Sequence, residues 1–209
     1  MSDPGSKHAA GATTLDPEEL ARANLYGLVS RLFYGPADPE LLAEIVSAQD
    51  GEAQESGGGL VAAWRSLRDA CKSAFPELVR QEYDGLFVGV GKAAVTPYLS
   101  AYAEPAAPDR YLVRLREQLS AWGLARRKSV FEMEDHISGL SDVMRWSIEA
   151  GRPVAEQRAF FENFVYPAVE PFFAAVQNAP SANFYKPVAA FSRFFFEVEK
   201  AAFEIDEAA

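Results

Sequence analysis

Apolar and polar positions along this chain recur with the period of an α-helix. Leu20, Ala23, Leu28, Val29, Leu32 and Phe33 predict a first helix that opens at Asp16. The run DPEE supplies an N-cap Asp, a Pro at the first helical position and Glu19 three residues after the cap, a capping box. Gly35-Pro36 ends this helix. Asp38-Pro39 opens another by the same chemistry, carrying Leu41, Leu42, Ile45 and Val46. A polar loop at 50–59, DGEAQESGGG, precedes a third helix over about 60–75 with Leu60, Ala63, Trp64, Leu67 and Cys71 on one face. Pro76 opens a fourth, PELVRQEYDGLF.

The period is lost over residues 89–108, GVGKAAVTPYLSAYAEPAAP, a connection long enough to be a hinge or a functional loop. Leu112, Leu115, Leu119 and Trp122 then mark a helix that stops near Gly123. The next is expected to carry FEMEDHISGLSDVMRW (131–146) and to run to Gly151. Within it Met133, Ile137, Leu140, Met144 and Ile148 make a buried stripe. Pro153 begins another helix, interrupted at Pro167 and Pro171, and the last shows a stripe of Phe191, Phe195, Val198 and Ala202. Twelve of the fifteen Phe residues follow position 130, so the C-terminal half holds the larger aromatic core. No strand alternation or internal repeat is visible. The fold class is all-α, a single globular domain of about eight to ten helices. We expect a disordered tail over 1–15, helices over 16–88, a hinge loop over 89–108 and helices over 109–205.

Composition narrows the class of partner. The 209 residues carry a formal net charge of −10, which serves either solubility alone or a basic partner such as an arginine-bearing peptide, and which repels nucleic acid and anionic membrane. A lone cysteine, Cys71, rules out an intramolecular disulfide and fits a reducing compartment, and its place on an apolar face reads as core. No apolar run approaches the ~18 residues that span a bilayer. The N-terminus MSDPGSKHAAGATT, with His8 in it, lacks the apolar stretch of a secretory signal. The expected location is cytoplasmic.

Chemical motifs are few. GVGK at 89–92 lacks the P-loop pattern, with Leu86 where a glycine is needed and Ala93 in place of Ser or Thr. RRKSVF at 126–131 is like a twin-arginine export motif but lies mid-chain, with no apolar run after it. It belongs to a locally basic stretch, with six Arg or Lys against one Glu over 110–128, read as a solvated face. His136 stands beside Glu132, Glu134 and Asp135. A structural zinc site wants four ligands, mostly Cys and His, and a di-iron bundle wants a repeated Glu-x-x-His; neither pattern is present. No nucleophile elbow or cofactor turn accompanies the Asp-His pair. Spacing puts His136 at the border of the apolar stripe, half-buried at a helix start. The stretch is then either a helix start with acids at its positive end and His136 as a satisfied boundary residue, or one wall of a functional site.

Three stretches together resemble the TorD/DmsD family of cytoplasmic molybdoenzyme chaperones, the redox-enzyme maturation proteins. They are EYDGLFVGVG at 82–91, TPYLSAYAE at 96–104 and FEMEDHISGLSDVM at 131–144. Met133 stands where the family's Glu-Pro-x-Asp-His motif has proline. The resemblance implies a helical chaperone without catalytic activity and without a cofactor of its own. It implies binding of a client's twin-arginine leader and of the apo form of a molybdenum oxidoreductase, with molybdenum-cofactor biosynthesis proteins as further partners. The implied peptide-binding residues are Tyr83, Leu86, Phe87, Pro97, Ser100, Tyr102, Glu132, Asp135 and His136, with Glu82 and Asp84 as further acids. The competing readings are a helical scaffold or regulator without leader specificity and a small metal- or cofactor-binding enzyme using Asp135 and His136.

Overall fold

A computed structural model describes residues 15–48, 58–89, 93–125 and 132–208. The expected tail before Leu15, most of the 50–59 loop, part of GVGK and all of RRKSVF lie outside the described residues.

The helix starts follow the capping chemistry of the sequence. α1 (Pro17–Tyr34) begins where Asp16 Oδ1 accepts from the Glu19 N–H at 2.8 Å. α2 (Pro39–Ser47) begins where Asp38 Oδ1 accepts from the Leu41 N–H at 2.8 Å. α3 (Gly59–Ser73) and α4 (Pro76–Tyr83) follow, and α4 widens into a π-helical turn over Asp84–Val88. The 93–108 connection holds a single turn, α5 (Ser100–Ala103). α6 (Pro108–Ala121) ends at Gly123, whose φ of 72° only glycine adopts freely. α7 (Ile137–Glu149) is followed by α8 (Val154–Phe160), a π-helical turn (Phe161–Val165) and α9 (Tyr166–Asn178). Pro167 and Pro171 do not break this last run. Pro167 sits in the first turn of α9, and the helix continues through Pro171 despite the lost donor. α10 (Tyr185–Ala208) closes the chain. Among the described residues the only β-type pairing is a single antiparallel bridge between Tyr98 and His136, and the fold is all-α. None of these helices is long and apolar enough to cross a membrane.

The two halves of the sequence interleave. α1 packs along α7, and α3 packs against α10, which also lies on α9. One apolar cluster runs from Ala23 to Phe203. Phe33 on α1 stands at its centre, meeting Phe87, Phe172, Phe173 and Tyr185 at ring distances of 5.4–6.2 Å. A side chain that large contributes about 3 kcal/mol by burial alone. At Gly59 a Cβ would stand 2.2 Å from the Phe194 ring, so any larger residue there would require that ring to move. Cys71 is buried in this cluster, and desolvation pushes its thiol up to about 11, so it is a packing group.

Two expected stripes need correction. α7 starts at Ile137, so Met133 lies before the helix and is 39% exposed; the stripe is Ile137, Leu140, Met144 and Ile148. In α10 Val198 faces solvent at 49%, and the inward row passes instead through Val188, Phe191, Phe195, Glu199 and Phe203. A glutamate in that row hides it from a hydrophobicity pattern. Arg22 on α1 meets Glu199 with Nε at 2.9 Å and Nη2 at 3.0 Å, a fork that permits the buried charge.

Candidate functional site: a groove at the start of α7

The Asp135-His136 pair lies where residues 95–100 run antiparallel to residues 132–138. The Leu99 N–H donates to the Asp135 carbonyl at 2.9 Å, and the Ile137 N–H to the Pro97 carbonyl at 3.0 Å. Asp135 is 1% exposed. Its Oδ2 accepts from the Ser100 N–H at 3.3 Å, while Oδ1 has no protein partner. This aspartate fastens the connection between α4 and α6 to the head of α7.

His136 is the N-cap of α7, in extended backbone at φ −62°, ψ 136°. Its Nδ1 accepts from the Ser138 N–H at 3.2 Å and lies 3.0 Å from Ser138 Oγ. A nitrogen that accepts carries no proton, so the neutral ring bears its hydrogen on Nε2. Burial lowers the His136 pKa, and the charges of Glu132 and Asp135 oppose that shift. His136 is thus buried rather than half-buried, because the helix starts one residue after it and the 95–100 segment covers it. The Tyr98 ring meets the imidazole edge-on, centroids 5.4 Å apart. The Tyr98 hydroxyl donates to Glu132 Oε2 at 2.5 Å.

In front of this junction opens a cavity of about 700 Å³. Its walls are the end of α1 (Arg31, Tyr34), Leu41 of α2, the end of α6 (Leu119) with Leu124 after it, and the outer face of α7. Val143 and Trp146 of α7, with Tyr34, Leu119, Leu124 and Met133, give it apolar surface. Asp38, Glu132, Glu134 and Asp142 give it four carboxylates. The two arginines that line it are turned to acids: Arg31 pairs with Glu44, and Arg145 lies 3.4 Å from Glu149. Glu134 accepts from Arg116 of α6 at 3.0 Å.

The residues flagged from sequence divide sharply. Glu132 and His136 line the cavity. Tyr83, Leu86 and Phe87, implied as peptide-binding by the resemblance, do not line it: all three are buried in the core. Tyr83 donates to the Phe33 carbonyl at 3.0 Å, and the Phe87 ring meets Tyr83 at a tilt and Tyr185 edge-on, both with centroids 5.1 Å apart. Pro97 and Ser100 are buried and act through their backbone in the junction. Tyr102 donates to the Thr96 carbonyl at 3.0 Å and packs on Phe172. Glu82 is also placed elsewhere, at the head of α10, where it accepts from three backbone N–H groups. Asp84 is exposed in the π-helical turn, away from the cavity lining.

The sequence reading missed Tyr34, Asp142 and Trp146, which line the cavity, and Tyr98 behind it. For α7 a signal existed: Gly139, Asp142, Val143 and Trp146 recur at helical spacing on the face opposite the buried stripe. Tyr34 had none, since its place depends on how α1 meets α7.

Residues 54–174, more than half of the chain, match the family model described as nitrate reductase delta subunit. No curated protein matches the chain. The fold is similar to that of a candidate redox enzyme maturation protein from Archaeoglobus fulgidus, with a TM-score of 0.53 and 20% identity over 86% of this chain and 93% of that one. The family match over a majority of the chain agrees with the resemblance carried by its three motifs, and the chain belongs to the nitrate reductase delta subunit family.

Proposed function

We propose that this protein is a dedicated cytoplasmic chaperone for a molybdenum oxidoreductase of the dimethyl-sulfoxide-reductase or formate-dehydrogenase type. It binds the client's twin-arginine leader in the groove at the head of α7 and holds the apoenzyme for cofactor insertion before export. The observation that carries this reading is the pairing of apolar walls with carboxylates around one cavity. A leader offers the complementary surface, two arginines followed by apolar residues. Arginine forks engage carboxylates bidentately and with direction. The apolar residues leave water against Tyr34, Leu124, Val143 and Trp146. Family membership and the maturation role given to the Archaeoglobus neighbour support the same reading. Asp135 and His136 serve as structural fasteners of this groove, with no catalytic step assigned to them.

Isothermal titration with synthetic twin-arginine leader peptides tests it. We expect saturable one-to-one binding that weakens as salt rises, because rim charges are screened. Absence of binding to every leader tried between pH 6 and 8 would sink the proposal.

A further inference from the structure

Tyr34 is the last residue of α1 and lines the groove while 60% exposed. Among the described residues no ring pairing, cation or hydrogen bond engages its side chain. Elsewhere the fold covers such aromatic faces with its own cations. Arg152 lies 4.6 Å from the Trp122 centroid and 5.7 Å from that of Trp146, the groove's tryptophan. Arg193 lies 4.5 Å from the centroid of Phe194.

The surroundings of Tyr34 favour a cation. α1 ends here, and the carbonyls of its last turn carry the partial negative charge of the helix dipole. Arg31, the basic residue of that turn, pairs with Glu44. Asp38, which caps α2 through Oδ1, follows four residues later, and exposed Asp142 stands on α7; both line the same groove.

We propose that Tyr34 selects arginine over lysine in the bound peptide, by taking a guanidinium flat against its ring. This rests on the peptide-groove reading above. A guanidinium is planar and weakly hydrated, so it stacks on an aromatic face and keeps its edge N–H groups for carboxylates. An ammonium is compact and strongly hydrated, and it gains less from the same ring. The ring thus adds to the apolar area it offers a preference that an aliphatic side chain of similar size lacks.

The test titrates one twin-arginine leader peptide and its lysine-lysine counterpart against wild type, Tyr34→Leu and Tyr34→Phe. Leucine keeps an apolar side chain and removes the ring; phenylalanine keeps the ring and removes the hydroxyl. The exposed side chain carries little of the packing, so both variants should melt as wild type does. We expect Tyr34→Leu to lose about fivefold in affinity for the arginine peptide, the scale of a partly desolvated cation–π contact. Its loss for the lysine peptide should be much smaller, so the arginine-to-lysine ratio falls, and Tyr34→Phe should keep the wild-type ratio. No loss in Tyr34→Leu, or an equal loss for both peptides, would overturn the role of the ring and leave the groove standing. A Tyr34→Phe variant as impaired as Tyr34→Leu would overturn it too, by assigning the effect to the hydroxyl. Failure of the wild type to bind the arginine peptide would overturn the groove reading and this inference together.

Discussion

Glu82 and Tyr185 are 103 residues apart, and the Tyr185 N–H donates to Glu82 Oε1 at 2.8 Å. The same carboxylate takes the Asn183 N–H at 2.8 Å and the Phe184 N–H at 3.0 Å. One side chain of α4 therefore caps α10, satisfying donors that a helix start leaves open and placing negative charge at the positive end of its dipole. Glu82→Ala should lower the unfolding free energy by about 2–3 kcal/mol, as charge-assisted bonds are lost and the donors are only partly rehydrated. Glu82→Gln should cost less, since its amide oxygen still accepts. Urea denaturation measures both, and equal stability of Glu82→Ala and wild type would contradict the capping role.

Arg22 and Glu199 link α1 to α10 in the same way, but out of water. The Glu199 side chain is 3% exposed, and the Arg22 guanidinium lies 5.2 Å from the Phe203 ring centroid. Removing one partner strands the other charge. Arg22→Met should destabilise the fold by about 3–5 kcal/mol, the usual cost of breaking a buried pair. Arg22→Met with Glu199→Leu should recover a large part of that loss, because two apolar groups need no counter-charge. A double variant as unstable as the single one would show that the pair does more than neutralise itself.

These long-range fasteners mark the boundary of what the sequence discloses. Asp16 and Asp38 were legible as caps because their partners lie three residues on. His136 was not, since histidine is outside the usual capping set, and the apolar period ran backward through Met133 as though the helix began earlier. Glu199 was passed over because a charge interrupts the stripe it belongs to. The site behaves likewise. Asp135 and His136 stood out as a motif. The groove beside them needs the end of α1 and the end of α6, which only the packed fold brings together. Tyr83, Leu86 and Phe87 stood out for the same reason as the motif, and the structure buries all three in the apolar core.

The His136 cap predicts a pH dependence of stability. The folded pKa lies below the ordinary 6.5. Below pH 6.5 the unfolded ring takes up a proton that the folded ring, buried and accepting the Ser138 N–H, takes up only at lower pH. The contribution is therefore complete above pH 6.5 and is lost as pH falls from 6.5 through the folded value. His136→Asn keeps a good cap and cannot titrate. Measured by thermal melts at pH 7.5 and 5, the variant should lose less stability on acidification than wild type. An identical loss in both would remove His136 from the pH response.

Asp142 separates binding from folding. It is exposed on the outer face of α7, one helical turn before Trp146, and it lines the groove. No apolar packing depends on it, so Asp142→Lys should leave helicity and melting temperature nearly unchanged, as surface substitutions do. Reversal of its charge replaces attraction of a leader arginine by repulsion. Affinity for a twin-arginine peptide should fall by about tenfold at low salt, and by less at 0.5 M salt, where the Debye length shrinks to about 4 Å. Glu77→Lys, on the first turn of α4 and outside the groove, makes the same change in net charge. It should have little effect on affinity. Calorimetric titration at two salt concentrations compares the two variants. Equal losses would mean that overall charge, and not the groove at the head of α7, attracts the peptide.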